Sequence, residues 1–121
     1  MFSMKNKSNN GHTELNRDVD IRKEVNRLGC NVVFIPHKLI QDHIACYYVE
    51  YDSKRIRPKV AKKLRIPLNK IWISDKFENQ EEQILFHELQ EIIYRRKGYR
   101  AAKAHQKAEH AETTIWKQRL T

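Results

Sequence analysis

The segment that most constrains this chain is residues 83–91, QILFHELQE, together with the apolar residues that follow it. On a helical wheel the apolar residues of this stretch form one face, as expected for an amphipathic helix; they are Leu85, Phe86, Leu89, Ile92 and Ile93. His87 and Glu91 are four residues apart, so a helix places one above the other on its opposite face. The pattern therefore predicts a helix with a His–carboxylate pair on its polar side.

A His and a carboxylate at this spacing can bind one divalent metal ion, with Zn as the first expectation. Glu88, next to His87, is then placed to accept a proton from a water molecule that the metal activates. The pattern differs by one residue from H-E-x-x-H, the zinc-hydrolase helix, because Glu91 replaces the second His. Taken alone, this helix also fits an ordinary solvent-facing His–Glu pair.

A second cluster, residues 104–112 with the sequence AHQKAEHAE, changes that balance. Small residues at helical spacing predict a packing seam along which two helices approach closely; the seam consists of Ala104, Ala108, Ala111 and Ile115. His105 and Glu112 adjoin this seam and are predicted to face the interior, whereas His110 faces water. If the seam closes over the polar side of the preceding helix, His87, Glu91, His105 and a carboxylate, Glu109 or Glu112, converge on one site.

Short β-branched and aromatic runs predict three strands between a first helix and this helical pair. In order, the predicted elements are a helix over about 15–28 ended by Gly29, strands at 31–35, 45–51 and 70–74, a loop at 75–79, a helix from an Asn79–Glu82 capping box to Lys97, and a last helix over about 99–119. The predicted fold is α+β, with an N-terminal helix, a small sheet of about three strands and a C-terminal two-helix site. Residues 1–13 are polar and aperiodic and are expected to form a disordered leader to a single domain, 14–121.

The net charge of +9 favours polyanionic partners, and seven basic residues cluster between positions 54 and 65. They are Lys54, Arg55, Arg57, Lys59, Lys62, Lys63 and Arg65. The cluster fits either a contact surface for nucleic acid phosphates or a solvated short helix, and the second is favoured because no aromatic residues interleave. A nuclease is a weaker alternative, because no D…E-x-K arrangement accompanies the His and carboxylates.

The composition indicates an intracellular, cytoplasmic protein with no membrane association. The chain has no apolar run long enough to cross a bilayer and no apolar core of a secretory signal. Cys30 and Cys46 are too few to indicate a disulfide framework, so both are expected to be buried free thiols, with a bridge between them as the alternative.

A strand ending in IWIS (71–74), a short acidic loop and a helix with FHExxE (86–91) resemble the core of minimal zincin-type metallopeptidases. The following AHxxAxxxE (104–112) is similar to a pattern that follows HExxE in some small phage and archaeal proteins. The resemblance covers about Lys70 to Glu112. It implies a strand edge that binds a peptide or protein substrate and a helix that supplies metal ligands. Eighteen residues separate Glu91 from His110, the interval between the second His and the distal Glu of gluzincin peptidases, but the wheel ranks His110 below His105.

Carried onto this sequence, the resemblance implies His87 and His105 as metal ligands, Glu91 or Glu112 as the carboxylate ligand, and Glu88 as general base. Glu91 in place of His makes the ligand set harder, so Mn or Fe are alternatives to Zn. A site that binds metal without catalysing hydrolysis is a further alternative. Tyr94 or Tyr99 is either a donor to an oxyanion or a packing residue. The expected function is a metal-dependent, peptidase-like hydrolase. The alternative is a basic nucleic-acid-binding protein whose His/Glu cluster is structural or incidental.

Overall fold

The computed structural model describes Leu15 and residues 18–117. The helices and strands are α1 (Ile21–Leu28), β1 (Asn31–Ile35), β2 (Ala45–Tyr51), β3 (Lys54–Ile56), α2 (Lys59–Leu64), β4 (Lys70–Ser74), α3 (Glu81–Arg96) and α4 (Ala101–Ala111). Turns of 3₁₀ helix occupy His37–Ile40 and Asp75–Gln80, and a π-helical turn, Glu112–Trp116, continues α4. The predicted α+β class is confirmed, and the predicted leader, 1–13, lies outside the described residues.

Within the described residues the strands form one four-stranded sheet in the order β1-β4-β2-β3. The three predicted strands begin and end at the predicted residues, and β3 is a short addition that the sequence pattern does not predict. β1 runs parallel to β4, β2 is antiparallel to β4, and β3 is antiparallel to β2. β3 pairs only with residues 49–51 of β2. In the described chain, residues 45–48 therefore pair on the β4 side alone.

The main core lies between one face of the sheet and α3. Strand alternation points Tyr47 and Val49 of β2 toward this helix, where they are buried with Phe86 and Leu89. The opposite face carries a smaller core in which Cys46 packs against Ala61 and Ile66 around α2. Cys30 and Cys46 are both buried free thiols, as predicted.

α1 begins later than predicted because Asp20 caps it. The Asp20 carboxylate accepts a hydrogen bond from the Lys23 backbone N–H at 3.1 Å, so the helix starts at Ile21 instead of near residue 15. Gly29 ends the helix as predicted, with φ 75°, a left-handed conformation that glycine adopts without a steric penalty.

The predicted capping box at the start of α3 is wrong. Gln80, not Asn79, occupies the cap position and makes no side-chain cap hydrogen bond. The Ser74 hydroxyl instead accepts from the Lys76 N–H at 3.2 Å, which starts a 3₁₀ helix directly after β4 and replaces the predicted loop. Asn79 thus lies inside a helical turn.

α4 packs along α3 through its alanines, and Ala104, Ala108 and Ala111 are all buried. This packing covers the polar side of α3, so the interpretation of His87 and Glu91 as a solvent-facing pair is wrong. Their side chains are 12% and 14% exposed. The helix that looks amphipathic on a wheel is buried on almost every side.

A membrane-spanning helix would need more length and more apolar surface than any helix in the described part of the chain has.

The alanine seam predicts that enlarging Ala108 destabilises the protein. Ala108→Leu has no room between α3 and α4, and we expect its free energy of unfolding, measured by urea denaturation, to fall by about 1–3 kcal/mol. The matched control is Ala102→Leu on the exposed side of α4, which should change the value by less than about 0.5 kcal/mol. Equal effects of the two substitutions would contradict close packing at the seam.

Candidate metal centre

The packing of α4 on α3 brings three potential ligands together: His87 and Glu91 from α3, and His105 from α4. The His87 Nε2 atom lies 3.2 Å from His105 Nδ1 and 3.5 Å from Glu91 Oε2. The third edge, between His105 Nδ1 and Glu91 Oε2, measures 3.2 Å. Two imidazole nitrogens and one carboxylate oxygen thus form a nearly equilateral triangle.

The size of this triangle fits a small four-coordinate ion. Zinc binds imidazole and carboxylate at about 2.0–2.1 Å, and tetrahedral geometry then separates the ligand atoms by about 3.3–3.5 Å. The three edges agree with this separation before any movement of the side chains. His87, Glu91 and His105 can therefore supply three ligands and leave a fourth position open.

Glu112, one of the expected carboxylate ligands, lies on the other side of the His87 ring. Its Oε1 atom is 2.5 Å from His87 Nδ1, and its Oε2 accepts a hydrogen bond from the Gln83 amide at 3.1 Å. A carboxylate on Nδ1 keeps a proton there, so Nε2 is the nitrogen that can lose its proton and bind an ion. In this geometry Glu112 orients His87, and Glu91 provides the carboxylate of the triangle.

His105 also has a carboxylate near its outer nitrogen, at a longer distance and on the surface. Its Nδ1 faces the triangle and its Nε2 lies 3.4 Å from Glu109 Oε2. Its side chain is 54% exposed, so it stands at the rim of the cluster and not in the interior, where the wheel placed it. His110 is exposed on the outer side of α4, as the wheel predicts.

Glu88 lies beside the triangle without belonging to it. Its Oε2 atom is 4.0 Å from His87 Nε2, beyond hydrogen-bond distance, and its side chain is 10% exposed. Burial and the nearby Glu91 charge raise the pKa of Glu88 to about 8, although the charge of His87 opposes them. Of the carboxylates in the cluster, this one is the easiest to protonate.

Hydrogen bonding sets the charges of His87, Glu91 and Glu112. Burial alone would lower the pKa of His87, but its hydrogen bonds to Glu112 and Glu91 raise that pKa to about 10. Burial would raise the pKa values of Glu91 and Glu112, but their hydrogen bonds to His87 lower both. A cationic imidazole therefore holds two carboxylates together without a metal, and an ion that binds Nε2 must displace its proton.

Two adjoining clefts open beside the cluster, with volumes of about 410 and 210 Å³. Four residues line both clefts: His43, Ala45, Glu88 and His105. The smaller cleft is lined by Ala45, Cys46 and Tyr47, from the edge of β2 that has no neighbouring strand, and by Pro58 and Val60. The triangle is thus accessible from a groove along a sheet edge.

The site also contains residues that the sequence motifs do not indicate. The Tyr47 hydroxyl donates a hydrogen bond to Glu91 Oε1 at 2.7 Å, Gln83 bonds Glu112, and His43 lines both clefts. Strand alternation does place Tyr47 on the face of β2 that points to the core, where a phenol needs an acceptor. Strand alternation does not identify Glu91 as the acceptor.

Tyr94 and Tyr99 form a separate packing cluster. Their ring centroids are 5.7 Å apart in an edge-to-face arrangement, and the Lys107 ammonium lies over both rings. Neither tyrosine lines the two clefts beside the triangle. Of the two interpretations of these residues, the packing one fits their contacts.

Comparison of the chain with protein-family models, with curated proteins and with solved structures finds no significant match.

The raised pKa of Glu88 predicts that Glu88→Gln stabilises the metal-free protein at alkaline pH. The carboxyl has an ordinary pKa of 4.5 when unfolded and about 8 when folded. The folded state therefore binds the extra proton between these values, and the contribution of Glu88 to stability falls as pH rises through that window. Glutamine does not ionise, so we expect similar free energies of unfolding at pH 4 and a gain for the variant of about 1–3 kcal/mol at pH 9.

The measurement is urea denaturation in the presence of a chelator at the two pH values. Glu82→Gln is the control, because this carboxylate is on the same helix but its side chain is 51% exposed. A gain that is the same at pH 4 and pH 9, or equal in the control, would contradict a buried carboxyl that resists ionisation.

Proposed function

We propose that this protein is a metal-dependent hydrolase, a zincin-like peptidase, that binds one divalent ion through His87, Glu91 and His105. The observation that carries the proposal is the triangle of ligand atoms with a buried carboxyl, Glu88, beside it on an open cleft. Two imidazoles and one carboxylate suit Zn, and the carboxylate also admits Mn or Fe. When bound, the ion supplies Lewis acidity that lowers the pKa of water and polarises a carbonyl.

In this proposal Glu88 is the general base. It accepts a proton from the attacking water and then donates it to the leaving amine, so the carboxyl must exchange a proton in both directions. In the metal-free cluster burial raises the pKa of this carboxyl to about 8, so it can hold a proton near neutral pH. Its Oε2 atom is 4.0 Å from His87 Nε2, so the carboxyl lies next to the triangle without being one of its corners.

The unpaired edge of β2 supports an extended peptide as substrate. The Ile44 and Tyr48 carbonyls accept hydrogen bonds from the β4 side, at 2.8 and 2.6 Å. Alternation then directs the backbone groups of Ala45 and Tyr47 to the free edge, where a peptide can pair as an added strand. His43, at the start of this edge, is the side chain we assign to donate to the developing oxyanion, in place of Tyr94 or Tyr99.

We place this activity inside the cell, in the cytoplasm. The support is that Cys30 and Cys46 are both unpaired thiols, which reducing compartments maintain.

The proposal predicts metal-dependent peptide cleavage that requires Glu88. Zinc-reconstituted protein is incubated with a mixture of proteome-derived peptides, and new termini are identified by mass spectrometry. Glu88→Gln should retain zinc and cleave about 10²- to 10⁴-fold more slowly, because the proton acceptor is lost. Glu82→Gln, on the exposed part of the same helix, should match wild type. Zinc-loaded wild type that cleaves no peptide, or Glu88→Gln that is as active as wild type, would contradict the proposal.

A second candidate function is nucleic-acid binding. Its specific support is that the seven basic side chains between positions 54 and 65 are all exposed, on β3, α2 and their flanks. The Arg57 guanidinium also lies 5.0 Å over the Tyr48 ring, so this surface has an aromatic neighbour that the sequence pattern did not indicate. DNA binding that weakens steeply with salt, is lost in Lys62→Glu/Lys63→Glu and persists in Glu88→Gln would favour this candidate.

A further inference from the structure

Tyr47 is the most buried of the polar residues that contact the metal centre. The residue is 1% exposed in the middle of β2, and its hydroxyl donates to Glu91 Oε1 at 2.7 Å. The other oxygen of the same carboxylate, Oε2, is the one that faces the two imidazole nitrogens at 3.2 and 3.5 Å. The two oxygens of Glu91 therefore have different environments.

The phenol is the donor in this hydrogen bond, because an ionised carboxylate can only accept. A neutral phenol next to a carboxylate donates its proton into the hydrogen bond. Because Tyr47 is on the sheet and Glu91 is on α3, this bond also ties the ligand to a second element of the fold.

We propose that Tyr47 is a positioning residue that makes Glu91 a one-oxygen ligand and thereby favours zinc over larger ions. This inference rests on the proposed metal centre. With Oε1 engaged by the phenol, only Oε2 is directed at the ion, which gives three ligand atoms and an open fourth position. Ions such as Mn²⁺ accept more oxygen ligands, including both oxygens of one carboxylate, and gain less from this restriction.

The test is Tyr47→Phe, which removes the hydroxyl and keeps the ring. Zinc and manganese affinities are measured by competition with chelators, and the visible spectrum of the Co²⁺-substituted protein reports coordination number. We expect zinc affinity to fall about 10- to 100-fold, as for other outer partners of metal ligands. Manganese affinity should fall less, and the Co²⁺ bands should weaken as Glu91 becomes a two-oxygen ligand.

The control is Tyr51→Phe, which removes a phenol from the same face of β2. Tyr51 lines a different cavity, with Glu24 and Arg27, and should leave zinc affinity and the Co²⁺ spectrum unchanged. The thermal midpoint of the metal-free variants separates a loss of packing from a loss of positioning. In a Glu91→Gln background, Tyr47→Phe should have no further effect on zinc affinity, because it acts through that carboxylate.

The outcomes separate this inference from the function on which it rests. Wild type that binds zinc, with Tyr47→Phe equal to it in zinc affinity, zinc/manganese ratio and Co²⁺ spectrum, would overturn the role of Tyr47 and leave the metal centre intact. Equal losses of zinc and manganese affinity would also overturn it, because Tyr47 would then not select between ions. Wild type that binds none of the three metals would overturn both.

Discussion

The close packing of α4 against α3 is the interaction on which the site depends. Alanines at positions 104, 108 and 111 are buried and let the second helix lie directly over the polar side of the first. That contact places His105 against His87 and Glu91 and removes most of the water around them. Buried imidazoles and carboxylates need partners, so the seam turns an ordinary surface pattern into a connected cluster.

Each member of the triangle has a second polar neighbour. Glu112 bonds the far nitrogen of His87, Glu109 lies near that of His105, and Tyr47 bonds the far oxygen of Glu91. Glu88 differs from these groups, because it is buried close to a negative charge and its pKa is raised. The buried Glu88 carboxyl lowers the free energy of unfolding above neutral pH, where it ionises. Buried groups that cost stability in this way are typical of functional sites.

The sequence predicts the fold class and three strands because β-branched runs and turn residues are local signals. It also predicts that the two C-terminal helices share a site, because the alanines and His105 of the last helix lie on adjacent faces of that helix. Two features depend on contacts between distant elements and could not be read in this way. The role of Glu112 depends on which side of the His87 ring it approaches, and the Tyr47–Glu91 bond joins positions 44 residues apart. The wrong cap at Asn79 has a local origin instead, because the Ser74 hydroxyl starts a 3₁₀ helix before Asn79 is reached.

The most direct test of the proposed metal centre is the metal content per chain, measured by elemental mass spectrometry on protein reconstituted with zinc and manganese and then freed of excess metal. The proposed metal centre predicts close to one ion per chain in wild type and in the variant His110→Ala, because the His110 side chain is on the outer side of α4. It predicts loss of the ion in His87→Ala and in His105→Ala, because each removes one corner of the triangle. Metal in none of the four proteins, or equal metal in all four, would contradict it.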